Sequence, residues 1–163
     1  MKPGAIHYET PKGAMILREH IEKVENDLAY SIPQALAAAA ATGDRSENPD
    51  YDEAKRWQVE ATEELATLKT YVNSMTLIDR RSSYEKVAIS SFVEVLVDKS
   101  QRQIYCIVGR YESDASKGLM YYGSPLARVL LNRRQGDTVN YTAPNGVQHA
   151  IQIITIGYYE DRP

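Results

Sequence analysis

The stretch Thr42-Gly43-Asp44-Arg45-Ser46-Glu47-Asn48-Pro49-Asp50-Tyr51 decides how this 163-residue chain folds. From Pro11 to about Met75 the pattern is helical, and it is interrupted once, at Gly43 to Asn48. Asn48 is a good N-cap, because its side-chain oxygen can accept from the first free backbone N–H groups of a helix. Pro49 then falls at the first helical position, where its missing N–H costs nothing. An interruption this short allows only reversal, so the stretch predicts an antiparallel helical hairpin.

Both arms carry the stripe such a hairpin needs. On the first, Leu17, Ile21, Val24 and Leu28 recur at spacings of four, three and four. The stripe shifts to Ile32 and Leu36 and then dissolves into Ala37 to Ala41, residues that favour helix and let another backbone come close. Pro33 removes a donor and crowds the preceding turn, which predicts a kink near Ala29 to Ser31. On the second arm Ala61, Leu65, Leu68, Val72 and Met75 repeat as a heptad seam, continued backward through Ala54 and Tyr51. At 1.5 Å per residue the hairpin would project on the order of 40 Å.

After Ile78 the period changes to two. Val87 to Val97, Gln103 to Val108, Leu119 to Tyr122, Thr138 to Thr142 and Val147 to Ile156 are β-branched or aromatic runs separated by turn residues. They predict an antiparallel sheet, interrupted by one short helix that Ser124 caps and Pro125 opens. The class is α+β, with residues 1–78 as a coiled-coil hairpin and 79–163 as a sheet domain.

Composition narrows the function. Nineteen Lys and Arg against 22 Asp and Glu give a formal charge of −3, which argues against broad clamping of a nucleic-acid backbone. Residues 1–78 hold 8 basic and 13 acidic side chains, a net −5, and residues 79–163 hold 11 and 9, a net +2. The longest uncharged apolar run, Ala35 to Ala41, is far short of the roughly 20 residues that span a bilayer. The opening Met1-Lys2-Pro3-Gly4 lacks the apolar core of a signal peptide, and a lone Cys106 cannot form an internal disulfide, so a cytoplasmic location is expected. His7, His20 and His149 show no ligand-like spacing, and Cys106 reads as a small core residue.

Chemistry concentrates at the reversal. Asp44, Glu47, Asp50, Asp52 and Glu53 place five carboxylates in ten residues. Asp50, Asp52 and Glu53 are accounted for by the dipole of the second helix, whose N-terminus favours negative charge. Asp44 and Glu47 precede that helix, and capping does not require both. A hard divalent ion such as Mg²⁺ is held by one or two carboxylates together with phosphate oxygens and water, so this pair could supply part of such a site.

Gly43-Asp44-Arg45-Ser46-Glu47-Asn48-Pro49-Asp50-Tyr51, followed by Ala54-Lys55, resembles the hairpin-tip signature of the bacterial Gre transcript-cleavage factors, with Arg45 closer to the GreB branch than the GreA branch. Thr10-Pro11-Lys12-Gly13 sits where that family opens its first helix. Ser124-Pro125-Leu126-Ala127-Arg128, with Gly136-Asp137 after it, is similar to the family's second signature. The resemblance implies that residues 79–163 form an FKBP-like domain that docks on bacterial RNA polymerase, with Ser124 to Arg128 near the contact. It implies that the hairpin enters the secondary channel and reaches the extruded RNA 3′ end of a backtracked complex. Asp44 and Glu47 would there help hold a second Mg²⁺ shared with the polymerase, with Gly43, Arg45, Ser46, Asn48 and Tyr51 shaping the tip. The chain would act as a monomer, would bind no metal alone, and would stimulate the polymerase's own cleavage without being an enzyme. The alternative is a Gre-fold protein that occupies the same channel and inhibits or retunes the polymerase without promoting cleavage.

Overall fold

In a computed structural model the described residues are 5–43 and 47–163. The chain divides into two units, one comprising Met15–Met75 and the other Ile6–Ala14 together with Thr76–Pro163.

The first unit is the hairpin. Helix α1 (Pro11–Asn26) runs into a π-helical turn at Asp27–Ser31 and then into α2 (Ile32–Ala41); α3 (Pro49–Asn73) returns after the reversal and packs on α2. The π turn is the outcome of the expected kink. Pro33 has no N–H to offer Ala29 and its ring crowds that carbonyl, so the backbone widens by one residue where an α-helical bond would fail. Leu17, Val24, Ile32 and Ala39 on the first arm, and Ala54, Ala61 and Leu68 on the second, are buried as their spacing requires. The seam's end differs from the heptad reading: Tyr71 is buried and Val72 is 38% exposed. Both lie within one helical step of the seam, and the larger ring covers more apolar surface. Met75 is the first residue of a strand and not the last of a helix. Two ion pairs, Glu25 with Lys69 and His20 with Glu64, each at 2.9 Å, link the arms.

The second unit is built on strands. β1 (His7–Glu9) and β2 (Met75–Leu77) form a two-stranded sheet, and the Ile78 N–H donates to the Glu9 carbonyl at 2.8 Å. The main sheet takes β3 (Ser91–Val97), β4 (Gln101–Val108), β5 (Leu119–Tyr121), β6 (Thr138–Thr142) and β7 (Gln148–Tyr158) in the order β5-β4-β3-β7-β6. All neighbours are antiparallel except β4 and β5, which pair parallel from Cys106↔Leu119 to Val108↔Tyr121. That exception corrects a purely antiparallel sheet. Residues 109–118 carry the chain back along the edge before β5 begins, and the short 3-10 turn Ala115–Lys117 ends at Gly118 with φ +69°. β3 starts at Ser91, not Val87, because Ser90 adopts φ +73° and breaks the extended run.

Period two now has a physical meaning. Val93 and Val95 of β3, Ile107 of β4, Val139 of β6, and Ile151 and Ile153 of β7 point to one side and bury against Ala127 and Leu130 of α4 (Pro125–Leu130). Cys106 joins Phe92, Val108 and Tyr159 in a second cluster, as a core thiol whose ionisation burial pushes up.

Two carboxyl groups in this unit are fully inside. Glu9 and Glu112 are 0% and 3% exposed. The Tyr111 N–H donates to Glu9 Oε1 at 3.1 Å, and the Thr10 hydroxyl hydrogen-bonds Glu112 Oε2 while its oxygen accepts the Gly13 N–H at the start of α1. Burial is the main force raising the Glu112 pKa, joined by the charges of Glu9 and Glu160 and opposed by Thr10 and Lys12. A carboxyl whose folded pKa is raised contributes stability that is complete below its ordinary value and is lost as pH rises through the folded value. The melting temperature is therefore expected to fall as pH is raised above about 4.5. Glu112→Gln, which keeps an oxygen for Thr10 and never ionises, should flatten that slope and melt above the wild type at neutral pH; calorimetry across the acid-to-neutral range checks both.

Candidate functional site

Among the described residues, the Asn48 side chain ties the two ends of the reversal together. Asn48 Oδ1 accepts from the backbone N–H of Asp50 at 3.2 Å and of Tyr51 at 3.3 Å, which caps α3. Its Nδ2 donates to the Ala39 carbonyl at 2.7 Å, on the last turn of α2. That carbonyl also receives the Thr42 hydroxyl at 2.8 Å and the Thr42 N–H at 3.2 Å. One amide thus satisfies free groups at the end of one helix and the start of the next. Asn48→Asp retains the cap but replaces the donor to Ala39 with a second acceptor. It is expected to cost about 1 kcal/mol, seen as earlier melting of the helical signal, whereas an Asn48 that only capped would tolerate the change.

Between these anchors, Glu47 is exposed, adjacent to the Asn48 cap. It lines a recess of about 310 Å³ with Thr42, Gly43, Asn48 and Pro49. Tyr51 is half-buried on the first turn of α3. Asp44, Arg45 and Ser46 lie outside the described residues. Among the described residues no three His, Cys, Asp or Glu side chains converge as a metal site. What the tip presents is a hard oxygen donor in solvent, suited to contribute a ligand to an ion that other groups also hold.

The second candidate segment is mostly structural. Ser124 Oγ accepts the Ala127 N–H at 3.3 Å as the cap of α4, and Pro125 opens the helix. Ala127 is fully buried, and Leu126 is partly buried and packs against the core. Pro125 and Arg128 are exposed. Two of the histidines meet acids: His149 Nδ1 lies 2.7 Å from Asp98 Oδ2, and His20 pairs with Glu64.

One feature near the reversal escaped the sequence reading. Ala35, Ala38 and Ala39 of α2 and Asp50, Glu53 and Trp57 of α3 line a groove of about 470 Å³. Its signal was the spacing of Asp50, Glu53 and Trp57, which sets all three on one helical face.

Residues 7–76 match the family "Transcription elongation factor, N-terminal", and residues 82–158 match "Transcription elongation factor, GreA/GreB, C-term". The chain is 31% identical to transcription elongation factor GreA of Bartonella tribocorum, over 91% of this chain and 96% of that protein. It is 32% identical to transcription elongation factor GreB of Neisseria meningitidis serogroup B, over 93% and 94%. Among solved structures, GreA factor homolog 1 of Thermus thermophilus aligns over 94% of this chain and 99% of its own, at 18% identity and a TM-score of 0.41. No helix of the described residues is long and apolar enough to cross a membrane.

Proposed function

Because the chain belongs to the GreA/GreB family of transcription elongation factors, we propose that it binds bacterial RNA polymerase, places its hairpin in the secondary channel and stimulates the polymerase's intrinsic cleavage of backtracked RNA. The observation that carries this reading is the exposed Glu47 carboxylate at the end of the hairpin, next to an asparagine that ties both helices together. A tip that is to meet an active site must deliver its acid in a fixed place, since misplacement by about 1 Å can cost about a hundredfold.

Asn48 commits its oxygen to two backbone donors and is no ligand, so Glu47 and Asp44 are the acids that would serve the ion. When bound, a second Mg²⁺ would lower the pKa of a water and stabilise charge on the cleaved phosphate. Glu47 and Asp44 would hold that ion from one side and leave the rest of its shell to polymerase and RNA. The net −5 of residues 1–78 is coherent with this role, because the hairpin would meet protein and cation and not bare phosphate. Pro125 and Arg128 are the side chains of the second signature that would reach the polymerase. The protein would work as a cytoplasmic monomer.

The test is a backtracked RNA polymerase complex carrying 3′-extruded, end-labelled RNA in Mg²⁺ buffer. Wild-type protein is expected to accelerate release of the 3′ fragment. Binding to the polymerase with cleavage left at its intrinsic rate would overturn the reading in favour of a channel-occupying regulator.

A further inference from the structure

We propose that the groove between α2 and α3 is a docking site for an arginine side chain presented by a partner protein. The base of the groove is apolar. Ala39 and Ala54 are 6% and 5% exposed, and Ala35 and Ala38 extend the methyl surface along α2. Its polar and aromatic groups come from α3, where Asp50, Glu53 and Trp57 follow one another at steps of three and four residues and so share a face. Trp57 is 38% exposed, and among the described residues its indole N–H makes no hydrogen bond.

Charge identifies the occupant. On the hairpin Glu25 pairs with Lys69 and Glu64 with His20, and the other described acids of its helices make no ion pair. Asp50 and Glu53 meet no basic side chain within ion-pair distance among the described residues, and Lys55 hydrogen-bonds Gln58 at 3.3 Å. Asp50 lies in the first turn of α3, where the dipole favours it, but Glu53 and Trp57 lie beyond that turn. Two carboxylates with no basic partner among the described residues repel phosphate, so the groove's chemistry favours a cation over a nucleic-acid backbone. An indole face beside two carboxylates suits a planar cation, which can stack on the ring and pair with an acid at once. Guanidinium does this better than a lysine ammonium, which is more strongly hydrated and lacks the flat fork. The methyl surface takes the aliphatic stem, and a volume of about 470 Å³ leaves room for the flanking residues of a peptide segment. The inference does not depend on transcript cleavage, since the groove's chemistry defines its occupant whatever Asp44 and Glu47 do.

Trp57 is the chain's single tryptophan, so its fluorescence, excited where tyrosine does not absorb, reports on this groove alone. The full-length protein is titrated with capped Gly-Arg-Gly and, in parallel, with Gly-citrulline-Gly, a neutral isostere, and Gly-Lys-Gly. The expected result is a saturable response at least tenfold tighter for arginine than for citrulline, and tighter than for lysine. Asp50→Asn combined with Glu53→Gln, both at exposed positions, is expected to weaken arginine binding at least tenfold while the protein stays folded, its unfolding curve shifted only by the lost dipole interaction of Asp50. Equal responses to arginine and citrulline, equal responses to arginine and lysine, or undiminished binding by the double variant would each overturn the proposal. Saturable quenching by a short RNA that displaces the arginine peptide would overturn it too.

Discussion

Replacing Glu47 by Gln is expected to reduce stimulated RNA cleavage by about a hundredfold or more, the scale on which losing one preorganised charge-stabilising group slows a reaction. Binding to RNA polymerase should be unchanged. The separation follows from where Glu47 sits. It is exposed, it takes no part in the bonds that Asn48 and Thr42 make across the reversal, and glutamine preserves its length. The substitution therefore removes a negative charge from the tip and leaves both helix ends capped. Asp44→Asn should act in the same direction. If the two acids act as one unit on a shared ion, the double variant will lose little more than either single one. The measurement pairs the labelled-RNA cleavage rate with competition of each variant against wild-type protein for the polymerase. Glu47→Gln that cleaves at the wild-type rate, or that loses cleavage only in proportion to lost binding, would remove Glu47 from the proposed chemistry.

The helical half was legible because its determinants are local. Asn48 and Pro49 mark the start of α3 by backbone chemistry that neighbouring residues cannot overrule, and the cap and bounds agree with that reading. Ser124 and Pro125 did the same for α4. Pro33 announced a disturbance but not its form, since a missing donor can be met by a bend or by a wider turn, and here a π turn accommodates it. Tyr71 shows the limit of a heptad count: period places 71 and 72 almost equally well, and the fold buries 71.

What was illegible depends on distant partners. β1 and β2 are three residues each, too short for any period, and they exist because residues 7–9 and 75–77 pair across the length of the hairpin. For the same reason Ile6–Ala14 joins the second unit although the helical pattern starts at Pro11. The parallel pairing of β4 and β5 follows from the path of residues 109–118, which composition does not reveal. Nothing local in the sequence marks Glu9 and Glu112 as buried, because burial of a carboxyl is a property of the neighbours that surround it. In the candidate site, Asn48 was legible as a cap; its second bond, to Ala39, required both helices to be in place.

Gly109→Ala is expected to destabilise the chain by about 3 kcal/mol or more, because it adds an atom where a packed interior has no space. A Cβ at Gly109 would stand 1.9 Å from Glu9 Oε2 and 2.6 Å from the Tyr8 backbone carbonyl. The first contact alone could be relieved only by moving a carboxyl that is 0% exposed and holds the Tyr111 N–H. The second is with the backbone of β1, which no rotamer change can relieve. Gly13 supplies the contrast. A Cβ there meets Glu9 Oε2 at 2.3 Å and nothing else nearer than 3.4 Å, and alanine in a helix recovers up to about 1 kcal/mol over glycine. Gly13→Ala should therefore cost clearly less than Gly109→Ala. Adding Glu9→Ala to each separates the two contacts: the Gly13 variant should then lose no further stability, while the Gly109 variant should still pay for Tyr8. A melting temperature lowered on the order of 10 °C by Gly109→Ala, with incomplete relief in the double variant, is the expected pattern. Near-wild-type melting of Gly109→Ala would mean that β1 is not held against the turn after β4, and the buried carboxyl pair would lose its structural basis with it.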